Sequence, residues 1–320
     1  EIALDSSWYT LFIPEPQMSF TDFGSQTAMW HDILVALLKG YVEKVYNNAK
    51  SRWMSRNVET AYLDSSHPNF EEEYRVLIHK ELFKNEDEAG FCKAINKLKQ
   101  ELTAGTFSKS IRIANSNDFE ALCIAGHLYQ PLLYLNESSF KHKEIGNLIE
   151  VMPVALNKGE RDFVCDIQRF FDNNPAFFEG KSLYLLRNKS RKGIGFFDDS
   201  GFYPDFIVWL VVGEHQYVSF IDPKGITYLN GFASSKIQLY KVIRDDIEPG
   251  LHDTSITLNS YIISNTEMKD VKHWVDFPEL DLSSKQKKFN EHHVYFQGDQ
   301  RDSYIRLILE NMISSSETNV

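Results

Sequence analysis

The sequence predicts an α+β protein in which a mainly helical region, residues 1–147, precedes a mixed α/β domain, residues 148–320. In the first half, apolar residues recur at three- and four-residue steps. In the second, short β-rich runs alternate with helical patterns. A polar, charged stretch from Ser138 to Asn147 separates the two rhythms. The 320 residues suffice for two ordinary domains, each burying its own core.

In chain order, Trp30, Ile33, Leu34, Leu37, Leu38, Tyr41 and Val45 mark an amphipathic helix from Gln26 to about Arg56. Turn formers from Asp64 to Asn69 break it, and Phe70 to about Lys84 fits either strand or helix. Glu86–Leu102 and Ser116–Leu135 show helical spacing, with Ser116 or Asn117 as N-cap of the second. Beyond residue 148 the pattern predicts a helix at Lys158–Asp172 and strands at Ser182–Arg187, Phe206–Val212 and Tyr217–Asp222. A helix at Lys236–Asp246, strands at Ser255–Ser264 and Val294–Gln297, and a helix at Tyr304–Asn311 follow. No internal repeat is present.

Composition narrows the class. With 42% hydrophobic and 13% aromatic residues the chain reads as globular, and its longest apolar runs, such as residues 206–212, are too short to cross a bilayer. The N-terminus has no signal-peptide pattern, so a cytoplasmic location without membrane contact is expected. Cys92, Cys123 and Cys165 are too far apart for a zinc knuckle or redox motif and are expected to be reduced core residues. A net charge of -11 argues against coating nucleic acid by bulk electrostatics, while a local basic strip can still dock one phosphate backbone. The first residue is Glu1 rather than Met, which suggests a portion of a longer protein.

The chemistry concentrates in residues 200–224, GFYPDFIVWLVVGEHQYVSFIDPKG. Two β-rich runs flank Gly213–Gln216, a turn-compatible insert, which makes an antiparallel hairpin the simplest local structure. Pairing about that turn sets Asp205, at the start of one strand, almost opposite Asp222, at the end of the other. Alternation puts Asp222 and Lys224 on one face with Pro223 pointing away. Two carboxylates beside an ammonium suit phosphodiester hydrolysis. Asp205 and Asp222 are hard oxygen ligands for Mg²⁺, with Mn²⁺ able to substitute, and Lys224 orients water or stabilises developing negative charge.

Pro204-Asp205 followed by Asp222-Pro223-Lys224 resembles the PD-(D/E)xK nuclease superfamily. The resemblance implies a restriction-endonuclease-like domain, a central β-sheet flanked by helices, with metal-dependent deoxyribonuclease activity. It also implies an acidic residue on the helix before the core sheet, the position Glu160 occupies in KGERDFVCDIQRFF. Lys236 stands near the start of the helix after the Asp222 strand, where such nucleases place a residue facing the active site or the DNA, with Gln238 as a nearby alternative. Upstream, WHDILVALLKGYVEKVYNNAKSRWMSR and YLDSSHPNF are similar to the helical region after the motor in type III restriction-like superfamily 2 helicases of bacterial defence. An upstream helicase motor is therefore an expected partner, although these 320 residues contain no GxxxxGK[ST] loop and no Asp-Glu-x-His motif. Arg187, Lys189, Arg191 and Lys192 cluster just before the Pro-Asp half-motif and form the expected DNA-backbone strip. Two other classes compete: a catalytically silent DNA-binding module keeping the nuclease fold, and a protein-interaction platform built on the helical half.

Overall fold

The computed structural model describes residues 20, 22–55, 63–64, 66–70, 73–79, 86–107, 111–112, 118–123, 131–196, 202–227, 229, 231–271, 280–301 and 303–314. The chain divides into two compact units: Glu1–Glu59 with Phe196–Gly201, and Thr60–Gly195 with Phe202–Val320. Helix α1, Phe23–Ser55, lies in the first. Its Ile33 is buried, while Trp30, Leu34, Leu38 and Val42 remain exposed.

The second unit is organised around a five-stranded sheet of order β12-β11-β10-β9-β8. Strands β8 (Lys181–Arg187), β9 (Phe206–Val212) and β10 (His215–Lys224) run antiparallel to one another. Strands β11 (Ile256–Ser264) and β12 (Val294–Phe296) add in parallel. Parallel neighbours need crossovers, and helices α4 (Ser235–Val242) and α5 (Leu282–Glu291) supply them.

Alternation along the strands builds two cores, one on each face of the sheet. Tyr261, Ile263 and Tyr295 join α3 (Lys158–Asn173) and α6 (Tyr304–Ser314) on one face, through Phe163, Val164, Ile167, Ile305 and Ile308. Ile262, Val294 and Phe296 join Ile237 of α4 and Phe289 of α5 on the other. The protein is thus mixed α and β, with a central sheet flanked by helices.

Ahead of this sheet, the sequence-derived picture needs correction. The helix expected over Ser116–Leu135 is absent among the described residues. Strands β3 (Phe119–Leu122) and β4 (Leu132–Leu135) pair antiparallel there, and Ser116 and Asn117 lie outside the described residues. Both strands are buried throughout: Leu122, Leu132 and Tyr134 enter the core of the main sheet, while Phe119, Ala121, Leu133 and Leu135 enter a second core with Phe91 and Leu98. A strand buried on both faces loses its two-residue alternation, and a short apolar run does not distinguish strand from helix.

Among the described residues, 63–147 mix helix and strand. They carry α2 (Glu86–Thr103) among β1 (Arg75–Ile78), the short β2 (Ile111–Arg112), β3, β4, and the hairpin of β5 (Lys141–His142) and β6 (Gly146–Asn147). No division falls at 147/148: β1 pairs antiparallel with β7 (Ile149–Met152), joining the two sides. The polar stretch from Ser138 to Asn147 is a surface turn and hairpin rather than a linker. Cys123 is buried, Cys92 and Cys165 are half-buried, and none of the three is in a disulfide. No helix among the described residues is long and apolar enough to cross a membrane.

Charged side chains fix α3 in rotation. Arg161 makes a bidentate pair with the buried Glu120 of β3 at 2.7 and 2.9 Å. On another side of the helix the hydroxyl of Tyr304 in α6 donates to Asp166 at 2.9 Å. Removing one partner of a buried pair strands the other charge, so Arg161→Ala is expected to cost about 3–5 kcal/mol in urea denaturation. A loss below about 1 kcal/mol would contradict the clamp.

His293, at φ 57, stacks on Tyr240 at 4.0 Å and on Tyr261 at 4.9 Å. Burial lowers its pKa to about 4, and Arg244 and His292 add to the effect against a hydrogen bond to the Ser260 carbonyl. The folded pKa lies below the unfolded value, so this contribution is complete above pH 6.5 and is lost as pH falls from 6.5 to 4. The loss should be on the order of 3 kcal/mol. Urea midpoints across that window should fall less steeply for His293→Gln than for the wild-type chain.

Candidate active site

Local geometry at the hairpin starts with its turn. β9 ends at Val212 and β10 begins at His215, leaving a two-residue loop in which Gly213 takes φ 60. A positive φ at the first loop position is what glycine supplies in a tight hairpin. The turn is shorter than the four residues the sequence suggested. Its register pairs His215 with Val212 and Ile221 with Phe206. One step further out, Asp205 stands opposite Asp222.

The two carboxyls share a hydrogen bond. Asp222 is buried and Asp205 half-buried. Burial, then the charge of Asp222, push the Asp205 carboxyl up to about 8. Both causes favour the protonated form of the Asp205 carboxyl beside Asp222. Lys224, two residues beyond Asp222 and on the same face, bonds to the Asp222 carboxylate. Burial lowers the pKa of its ammonium, against the charge of Asp222. The ring of Phe202 lies 5.2 Å from the Lys224 ammonium and 5.3 Å from that of Lys236, at the start of α4. The fold thus brings Asp205, Asp222, Lys224 and Lys236 together from three segments. Gln238 is not part of this group: its amide donates to the Phe232 carbonyl at 2.5 Å.

Glu160 approaches the pair from α3, close enough for its charge to act on Asp205. Its carboxylate is nevertheless engaged elsewhere. Asn157 and Glu160 form a reciprocal capping box, and the Asn157 amide donates to Glu160 Oε1 at 2.5 Å. Arg187 Nη2 donates to Glu160 Oε2 at 3.1 Å. Burial raises the Glu160 pKa while Arg187 opposes the shift. Among the described residues no group of three His, Cys, Asp or Glu side chains is placed to hold a metal ion. The acidic centre is a pair, with Glu160 turned into its own cap and ion pair.

The expected DNA strip is also divided. Arg187, at the end of β8, turns inward and bonds to Glu160 and to the carbonyls of Val154 and Ala155, which makes it a clamp on the start of α3. Lys189 is half-buried on the turn that follows, and Arg191 and Lys192 are exposed there. Sequence reasoning missed the Asn157–Glu160 cap, although Asn-x-x-Glu before an apolar helix is a readable signal. It also missed Phe202, for which no local signal exists. No family model, curated protein or solved structure matches the chain.

An inward clamp and an outward phosphate contact respond differently to removal. Arg187→Ala should lower folding stability by about 3 kcal/mol, because Glu160 loses its buried counter-ion. It should leave the slope of DNA affinity against salt unchanged, whereas a lost phosphate contact reduces that slope by about 1. A reduced slope with unaltered stability would return Arg187 to the strip.

Proposed function

We propose that the chain carries a Mg²⁺-dependent DNA endonuclease centre of the restriction-endonuclease-like type, serving a bacterial helicase-nuclease of restriction or anti-phage defence. The observation that supports this most is the register that sets Asp205 against Asp222 with Lys224 on the same face. The pair fits a hard divalent cation. Two carboxylates so close repel each other, which helps to raise the Asp205 pKa, and a cation between them would relieve the same repulsion. Mg²⁺ keeps most of its water and needs only one or two protein carboxylates, so the absence of a third is compatible with it.

In this reading Asp205 and Asp222 would hold the ion, which supplies Lewis acidity toward the scissile phosphate and acidifies water. Lys224, partly desolvated and held by Asp222, faces the same space and donates hydrogen bonds to the developing negative charge or to the attacking water. Lys236, against the same Phe202 ring, is placed to meet a neighbouring phosphate. Arg191 and Lys192 meet the backbone beyond it with Lys189, fixing the strand without reading bases. Glu160 acts at one remove, by pairing with Arg187 and capping α3. The upstream motor of such proteins would supply the control that this centre lacks.

A silent DNA-docking module is favoured by one observation: each carboxyl at the centre already has a partner, Asp205 with Asp222, Asp222 with Lys224 and Glu160 with Arg187. The two readings separate when the chain is incubated with plasmid and Mg²⁺. Asp222→Ala and Lys224→Ala should each reduce cleavage by about 10²–10³, and calorimetry should show Mg²⁺ binding lost in Asp205→Ala while DNA binding persists. Cleavage unchanged in both variants would sink the catalytic assignment. DNA binding by the wild-type chain without Mg²⁺ binding would favour the silent module.

A further inference from the structure

We propose that Asn188, locked by Asn69, is a positioning residue that holds the Asp205 carboxyl and the basic turn Lys189–Lys192 in one fixed relation. Its consequence for cleavage rests on the nuclease reading, while the geometry stands apart from it.

Asn188 is the first residue past β8 and is 8% exposed. Its main-chain N–H donates to the Asp205 carbonyl at 2.8 Å, carrying the β8–β9 ladder one step beyond the strands. The Asn188 side-chain amide donates to the Pro204 carbonyl at 2.9 Å and to the Ile194 carbonyl at 2.7 Å. Its carbonyl oxygen accepts from the Ile194 N–H at 2.9 Å and from the Asn69 amide at 3.0 Å. All four bonds open to an asparagine amide are thereby made. One side chain spans from the backbone of the Pro-Asp step to the far end of the basic turn.

Asn69 secures this side chain from a segment 119 residues earlier in the chain. It is fully buried, and its oxygen accepts the Lys189 N–H at 2.9 Å. Asp64 and His67 shape the turn that delivers it, through Ser66 N–H to Asp64 at 2.8 Å and Asn69 N–H to His67 Nδ1 at 3.2 Å. The basic turn closes on itself where the Gly193 N–H donates to the Lys189 carbonyl at 2.8 Å. A side chain at Gly193 would bring a Cβ within 2.2 Å of Asn188 Oδ1 and 2.3 Å of Asn69 Oδ1. Glycine is therefore required by close approach, and the two buried asparagines are what it approaches. Buried amides with every bond satisfied specify one geometry, and loss of either partner leaves polar groups unpaired.

The test compares Asn69→Ala, Asn188→Ala and Gly193→Ala with Ile308→Ala, a core substitution in α6 that destabilises without touching the knot, all at a temperature where each is folded. Single-turnover Mg²⁺-dependent cleavage at saturating DNA should fall at least tenfold in the knot variants, and DNA affinity with Ca²⁺ in place of Mg²⁺ should weaken threefold or more. Ile308→Ala should stay within twofold on both. Knot variants within twofold of wild type on both measures overturn the proposal, and Asn69→Ala decides alone if Asn188→Ala does not fold. A wild-type chain that neither binds nor cuts DNA removes the nuclease reading instead. Amide exchange then decides the positioning claim: protection at Lys189, Gly193 and Ile194 lost in Asn69→Ala but kept in Ile308→Ala supports it, and unchanged protection overturns it.

Discussion

Everything at the candidate centre depends on a two-residue loop. Because Gly213 and Glu214 alone connect β9 to β10, Val212 faces His215 and the register carries Asp205 to Asp222. A four-residue loop over Gly213–Gln216 would pair Val212 with Tyr217 and bring Asp205 opposite Lys224 instead. The carboxylate pair would become a simple ion pair, with no position between two acidic groups. Hairpin register is set by turn length, so a positive φ at one glycine, eight residues after Asp205 and nine before Asp222, decides what chemistry is possible.

The register alone would leave Glu160 and Arg187 unplaced. Both depend on how α3 is turned against the sheet, and charges on other sides of the helix settle that. Arg161 reaches Glu120 in β3, while Asp166 accepts from Tyr304 in α6. Both carboxylates are buried, so rotating the helix would strand them without partners. With rotation fixed, the third helical position faces β8, and Glu160 closes both its cap and its pair with Arg187. The segment before residue 148 therefore belongs to the architecture of the centre, since Glu120 comes from it and Asn69 from further upstream.

What was legible in the sequence follows from the length and composition of each element. Helices α2, α3 and α6 carry a helical period, and β9 and β11 are long runs rich in β-branched and aromatic residues, so all five stand within a few residues of the predicted positions. β3 and β4, four residues each and buried on both faces, offer a run too short to distinguish strand from helix, and α5 was passed over because only Phe289 of its ten residues is buried. At the centre, the neighbourhood of Asp205, Asp222 and Lys224 could be read from a hairpin and the alternation of side chains, but the direct facing of Asp205 with Asp222 could not, because it needs a loop of two residues rather than four. The inward turn of Arg187 could not. It depends on Glu160 arriving from another element, and a basic residue in a basic run gives no sign of which neighbour will claim it.

The charge balance of the centre explains why it can be built into a fold at all. Asp222 is paid for by Lys224 and Glu160 by Arg187, while Asp205 shares a hydrogen bond with Asp222. Each carboxyl of the centre thus has a partner of its own. The three arrangements are not equally exchangeable. Glu160 is bound from two sides, by the cap of its own helix and by a guanidinium that also spans two main-chain carbonyls, so releasing it would unmake the start of α3. Asp205 gives up only a proton, and Lys224 is a single flexible ammonium whose departure disturbs no backbone. The labile part of the balance therefore lies at the hairpin, and the rigid part lies behind it on α3. That division suits a centre in which the aspartates and the lysine meet the substrate while Glu160 and Arg187 hold the frame.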